Sequence, residues 1–592
     1  MKNILKFAGA VIVVLMSCIT LVFAAGQAQP EVTVKNQNGL TLRNDVFSYS
    51  DKFITSEIKN TDSADSSEVL LMAAYDEEDN IISISSTGDL NIAPGETAEC
   101  VLSLDSADRT VKSVRVFVWR DFESAEPISE TIVFTNELYT YRDDANSVFV
   151  SVEGSDSDGD GTFAKPFRTV DFSVSKLSSG KTLYIMEGTY KENIYVGVKG
   201  TEAEPITIKA APGAHAVIDG GGKLNENIIE LEASSSDIII SDLELQNGWG
   251  GIYSENSTSK SGKNFAVCNN KIHDIDGNND DTFAVVFYAK NVNPVTNVII
   301  DGNEIYNCKT YTSETVTLNG NVDGFRVSNN IIHDCNNIGL DAIGYEGTCK
   351  TKELDCARNG VFRDNTVYNV STYGNEGYKD GSGYDLCCAG IYIDGGHDIE
   401  ILDNNIYNCD IGVEVASEST RAPYNISYNV SVNNNIISEC KGLAGICFGG
   451  YDNKVGWTKQ CDFVNNTLYN NIVGIMVQQA EDNIISQNII YGGENGLVFS
   501  FADEDGKLVY KGVGPYNDTN NFGANYWYDP NSVSGYNCWF DMLPAEQLSK
   551  QITGVDPKFK SPKQNNFSTE LNALGYGCLL YTSPSPRDYA AS

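Results

Sequence analysis

Apolar and polar residues alternate in short runs along most of the chain, and the runs fall into two regimes. From about Val32 to Thr135, runs such as Val114-Arg115-Val116-Phe117-Val118-Trp119 are separated by turn signals such as Glu77-Glu78-Asp79-Asn80 and Pro94-Gly95. Period-two alternation broken by turns predicts a small antiparallel β-sandwich over residues 30–137. It holds no catalytic set, and Trp119 and Phe122 read as core or interface residues rather than as a sugar platform. A polar stretch, Asn136 to Asn146, links it to a second region. There Gly154-Ser155-Asp156-Ser157-Asp158-Gly159-Asp160-Gly161 precedes Pro166-Phe167-Arg168-Thr169 and a short helix. The alternate Asp residues suit calcium, but the twelfth position of such a loop is Phe167 where Glu is needed, so a polar turn into the first repeat is the expectation.

Beyond about Leu183 the pattern repeats. The phrase Asn-x-Ile/Val/Leu-x starts at Asn270, Asn303, Asn330, Asn365, Asn404, Asn434, Asn466 and Asn488, with intervals of 22 to 39 residues. Such spacing fits a coil of roughly 22 residues plus variable loops, stacked so that inward Asn side chains pair from coil to coil. A second phrase, Gly-Ile/Leu/Val-x, starts a strand at Gly251, Gly339, Gly390, Gly412, Gly445, Gly474 and Gly496. The two phrases together resemble the right-handed parallel β-helix of the pectin-lyase-like superfamily, in its secreted bacterial carbohydrate-active form, over roughly 70% of the chain. The expected fold class is therefore all-β: a right-handed parallel β-helix solenoid over residues 146–577, preceded by the sandwich. The superfamily holds lyases, hydrolases, epimerases and adhesins, so the resemblance implies fold more sharply than function.

Lys2 and Lys6 ahead of an apolar run from Phe7 to Ala25 read as an export signal over residues 1–25, with an uncleaved membrane anchor as the alternative. The protein is thus expected outside the cell, secreted or attached to the surface. Residues 578–592, with Tyr581-Thr582-Ser583-Pro584-Ser585-Pro586-Arg587, are expected to be a translated sequencing adapter. Acidic residues outnumber basic ones 80 to 41, giving a formal net charge of −39, which disfavours nucleic acid and anionic membranes as partners. Expected instead are a polysaccharide or oligosaccharide substrate and a monomeric state. Of fifteen cysteines, Cys308, Cys335, Cys409 and Cys440 recur beside the Asn phrase and read as packing, whereas Cys349, Cys356, Cys387 and Cys388 lie in long insertions and are the disulfide candidates.

In each Gly-Ile/Leu/Val-x phrase the apolar residue points inward and x outward. Aligned outward positions read Tyr253, Asp341, Tyr392, Glu414, Cys447, Met476 and Val498, and Asp394 follows two residues after Tyr392. Asp341 and Glu414, two coils apart, should have backbones roughly 9 to 10 Å apart. Co-facial carboxyls suit a glycoside hydrolase, in which one donates a proton and another activates water or attacks. Asp341, Asp394 and Glu414 are the catalytic candidates. Tyr345, Glu346, Tyr392, His397, Glu418, Tyr451 and Trp457 are the substrate-binding candidates, with loop aromatics as stacking surfaces. The alternatives are a polysaccharide lyase or epimerase and a non-catalytic glycan-binding protein. The resemblance implies that a lyase would neutralise a uronate through calcium or Arg and take its proton with Lys or Arg. Arg358, Lys379, Arg421 and Lys454 could supply that base from loops. Hydrolysis requires no cofactor and no residue is assigned to a metal, although calcium is the ion these oxygen donors could take.

Overall fold

The computed structural model describes residues 31–569, apart from segments at 37–40, 43–45, 48–51, 61–65, 77–79, 88–89, 95, 105–110, 121–130, 137–144, 258–259, 452–454, 503–507, 510–518, 532–536 and 563–565. The export segment, Phe122, Lys454 and the 578–592 tail lie outside the described residues. The chain divides into two compact units, within residues 1–142 and 143–588.

The first unit is a β-sandwich. One sheet pairs Glu31–Asn36, Phe53–Lys59 and Thr97–Ser103 antiparallel. The other carries Ser66–Tyr75, Ile81–Ser86, Ser113–Trp119 and Ile132–Asn136. Alternation places Val34, Ile54, Ile58, Leu70, Met72, Val114 and Val116 in the core between them. Trp119 is buried against Val69 and Leu71.

The second unit is the right-handed parallel β-helix. Three long parallel sheets run along it, starting at Ser147–Val150, Gly188–Tyr190 and Ile194–Val196. Each coil contributes one strand to each sheet, as in Val322–Ser328, Ile331–Cys335 and Leu340–Ile343. Inward Ile, Val, Leu and Phe from successive coils stack into one continuous core. The short helix Val170–Val174 packs its buried Val170 and Val174 onto the first coils. Its entrance is built by Asp156, whose carboxylate accepts from the backbone N–H groups of Arg168 and Thr169 at 2.8 and 3.0 Å. Asp160 likewise accepts from Thr162, so these aspartates organise the turn.

The corner between the first and second sheets explains the Asn phrase. Asn270, Asn303, Asn330, Asn365 and Asn404 are buried, and each amide nitrogen donates to the Oδ1 of the next at 2.9–3.1 Å. The ladder continues through Asn435, Asn466, Asn488 and Asn525. Its sixth member is Asn435, one residue later than the phrase suggested. Asn434 instead occupies the corner with φ +58°, matching Asn269, Gly302, Asn329, Asp364 and Asp403 at the same place in other coils. Asn, Asp and Gly tolerate this left-handed conformation at least cost, which is why they crowd the corners. Outside, His273, Tyr306, His333, Tyr368 and Tyr407 form a second ladder, stacked with ring centroids 4.7–5.0 Å apart.

All thirteen cysteines among the described residues are free. The disulfide expectation for Cys349, Cys356, Cys387 and Cys388 is therefore corrected. Cys349, Cys356 and Cys388 are buried as small side chains, and Cys388 lies against the Asp410 carboxylate. Cys308, Cys335, Cys409 and Cys440 are buried at the far ends of the second-sheet strands that follow the ladder residues.

Candidate functional site

The third sheet carries the candidate site. Its register runs Tyr253, Val286, Thr317, Asp341, Tyr392, Glu414, Cys447, Met476, Val498 as direct neighbours in consecutive strands. Asp341, Tyr392 and Glu414 thus follow one another on one face, and Asp394 lies two residues along the Tyr392 strand. Beyond Glu414 the row turns apolar, and Cys447, Met476 and Val498 are covered with help from Leu443 and Trp539.

Expected at the surface, Asp341 and Asp394 are instead 2% and 4% exposed, and Tyr392 is equally buried. The insertions fold over them. Asp394 accepts the backbone N–H of Glu418 at 2.6 Å, docking the 417–425 loop onto the sheet. That loop is tied to the 344–357 insertion by Ser419 Oγ and Arg421 Nη1, which donate to the Tyr345 carbonyl at 3.2 and 3.3 Å. Gly347, at φ +99°, lets the guanidinium lie close, since a Cβ there would stand 2.6 Å from Arg421 Nη1. Within the insertion, Asp355 accepts from the Gly347 and Cys349 N–H groups, both at 2.6 Å.

The loops do not seal the face. Glu346 and Glu418 are exposed and Glu314 and Glu414 are half-buried. These carboxyls act electrostatically on one another and on the buried Asp341 and Asp394, and together with Tyr392 they define the acidic cleft of this face. Burial pushes Glu414 up to about 8, with the Glu418 charge adding to it. Burial and Glu346 push Glu314 up to about 8, against a 3.0 Å hydrogen bond from the Thr317 hydroxyl. Burial, then Glu314 and Asp394, holds Asp341 far above the usual carboxylate range. Burial followed by Glu418 and Glu346 does the same for Asp394. Glu346 is raised by burial and Glu418, while Asn319 and Arg421 act to keep it ionised. Like charges this close cannot all ionise together, so the cleft carries exchangeable protons at neutral pH. Among the described residues no group of three or more His, Cys, Asp or Glu side chains converges closely enough to hold a metal ion.

A raised carboxyl costs stability only when it ionises. Its contribution is intact below the unfolded value near 4.5 and is lost as pH climbs to about 8. The melting temperature should therefore fall over this interval. The fall should be smaller in Glu414→Gln, as calorimetric scans at successive pH values would register; parallel curves for the two proteins would contradict the raised value.

Several proposed contacts lie elsewhere. His397 begins the strand His397–Leu402 of the first sheet, stacks on Tyr428 at 4.4 Å and pairs with Asp398. It faces Arg358 and Asp323 rather than the cleft carboxyls, and burial lowers its pKa. Trp457 belongs to the same sheet, beside Ile426, with Lys459 over its ring. Tyr451 is 48% exposed on the preceding loop. The Tyr345 ring is buried against Tyr424 and braces the two insertions. Glu314 and Asn319 were missed because the strand Val316–Gly320, which Glu314 precedes and Asn319 belongs to, lacks the Gly phrase. The interval from the ladder residue Asn303 could have located it.

The right-handed beta helix region family matches residues 389–510. The chain is 33% identical over 445 residues to the uncharacterized protein YwoF of Bacillus subtilis (strain 168), covering 72% of this chain and 90% of that protein. The chain belongs to the YwoF family of right-handed parallel β-helix proteins. It is also 29% identical over 141 residues to pectate lyase PEL9 of Emericella nidulans, covering 21% of this chain and 34% of that one. Among solved structures, the catalytic domain of a GH87 alpha-1,3-glucanase variant in complex with tetrasaccharides aligns with a TM-score of 0.41 and 13% identity, over 85% of this chain and 90% of that one. Family membership thus agrees with the stacked coils and the ladder.

Proposed function

We propose that this member of the YwoF family is a carbohydrate-active enzyme that hydrolyses glycosidic bonds of a polysaccharide outside the cell. The observation that carries the reading is the acidic cleft, in which a half-buried Glu414 holds its proton up to about pH 8 while neighbouring carboxyls line the same face. A proton-bearing carboxyl open to solvent on one side is what departure of a sugar oxygen requires. Glu414 is assigned as the proton donor. Glu346, the carboxyl that Arg421 and Asn319 favour in its ionised form, is assigned to activate water or attack. Asp394 positions the Glu418 loop through its N–H, and Tyr392 separates Asp341 from Glu414 on the floor.

The partial likeness to a pectate lyase favours elimination as the second reading. The loop bases suit it poorly. Arg358 is held by Asp323 and Asn321, both at 2.9 Å, Lys379 by Glu376 at 2.9 Å, and Arg421 by the Tyr345 carbonyl. The two reactions leave different products. Incubating residues 26–577 with a panel of plant, fungal and bacterial glycans should give new reducing ends without ultraviolet-absorbing unsaturated sugars. Unsaturated products that require calcium would replace hydrolysis with elimination, and intact glycan throughout would leave a binding protein.

A further inference from the structure

The cleft is lined by acceptors that lack donors. Asp341 Oδ1 is fully buried and has no hydrogen-bond partner, and the same holds for Asn319 Oδ1 on the preceding coil. Asn319 is 3% exposed, and its side chain meets Glu346 at the cleft. Thr317 stands beside Asp341 in the register and Asn319 two residues further along the same strand, so both orphaned oxygens belong to one floor. Buried acceptors without donors are destabilising unless a ligand supplies the missing hydrogens. Glu314, Glu346 and Asp394 surround Asp341 with further carboxyls that oppose its ionisation, and a bound cation would relieve that repulsion. A neutral sugar hydroxyl can offer one hydrogen, and a uronate offers another anion. An ammonium group offers three donors, no acceptor and a positive charge.

Taking the hydrolase reading as its basis, we propose that the substrate is a polymer containing unacetylated amino sugar, and that the Asp341 and Asn319 oxygens receive the sugar ammonium at the floor of the cleft. The net charge of −39 draws such a polycation from solution and repels a polyuronate. N-acetylation removes both the charge and two of the donors.

The test separates recognition from cleavage. Titration calorimetry on the Glu414→Gln protein and on the wild type would compare glucosamine and galactosamine with their N-acetyl forms, with glucose, and with galacturonate in the presence and absence of calcium. Monosaccharides remove any dependence on linkage. At least one amino sugar should bind at least about tenfold more tightly than its N-acetyl form, a difference of about 1.4 kcal/mol, and binding should weaken as salt is added. Asp341→Asn should remove most of that preference, and Asn319→Leu provides a second variant if Asp341→Asn does not fold. Equal affinity for the acetylated and free forms, preference for galacturonate with calcium, or no binding of either amino sugar would overturn the proposal. Selective binding of amino sugar without cleavage of its polymers would leave this recognition standing and remove the hydrolase reading. Cleavage of a neutral glucan with no amino preference would do the reverse.

Discussion

Glu414→Gln should lower the rate of glycan cleavage by roughly 10²- to 10⁴-fold while leaving the fold intact, because it deletes a proton donor and keeps the shape. The side chain is half-buried between Tyr392 and Cys447 in the register, and the amide fills the same space without the charge that burial penalises. Rate and folding therefore move in opposite directions. The variant should be less active at every pH yet no less stable near neutrality. Rate measurements beside thermal melts would show this, and a variant that kept more than about a tenth of the wild-type rate would transfer the donor role to Glu314, the other carboxyl pushed up to about 8.

The second large effect lies far from the cleft. Asn365→Ala should destabilise the β-helix by about 3–5 kcal/mol, because the change strands several buried groups at once. Asn365 Oδ1 receives both the backbone N–H and the side-chain amide of Asn330, each at 3.0 Å. Its own amide donates to the Val327 carbonyl and to Asn404 Oδ1, also at 3.0 Å. Every one of these partners is buried, and each coil depends on its neighbours for pairing. Denaturant titration followed by circular dichroism would measure the loss. A cost below about 1 kcal/mol would mean that the ladder is incidental to stability.

Much of this architecture was legible before any coordinates, and the reasons are local. A buried amide that must pair with its copy in the next coil forces the same residue type at every turn, so Asn303, Asn330 and Asn365 announce the stacking. The outward row was legible because Gly390-Ile391-Tyr392 and Gly412-Val413-Glu414 sit in register with Gly339-Leu340-Asp341, and the pairing of Asp341 with Tyr392 and of Tyr392 with Glu414 follows that alignment. What covers the row was not legible. Whether an insertion stands away from a sheet or folds over it depends on contacts such as Asp394 with the Glu418 N–H, which no spacing encodes. Asp341 and Asp394 therefore became a floor rather than a surface. His397 follows Asp394 by three residues, but Gly395, at φ +77°, turns the chain into another sheet. Glu314 escaped notice because its coil reaches the sheet without glycine. The expected disulfides failed for a related reason: insertion cysteines such as Cys349 and Cys356 are buried and packed rather than cross-linked.

The measurement that tests the central claim most directly needs no substrate: an infrared titration of the carboxyl stretch in residues 26–577 and in the Glu414→Gln protein. The wild type should show protonated carboxyl absorption at neutral pH that titrates near about 8, and the Glu414 share of it should be missing from the variant while the Glu314 share remains. If every carboxyl is already ionised above about pH 6, or if the band is unchanged in Glu414→Gln, the cleft holds no such proton and the proposed chemistry is wrong.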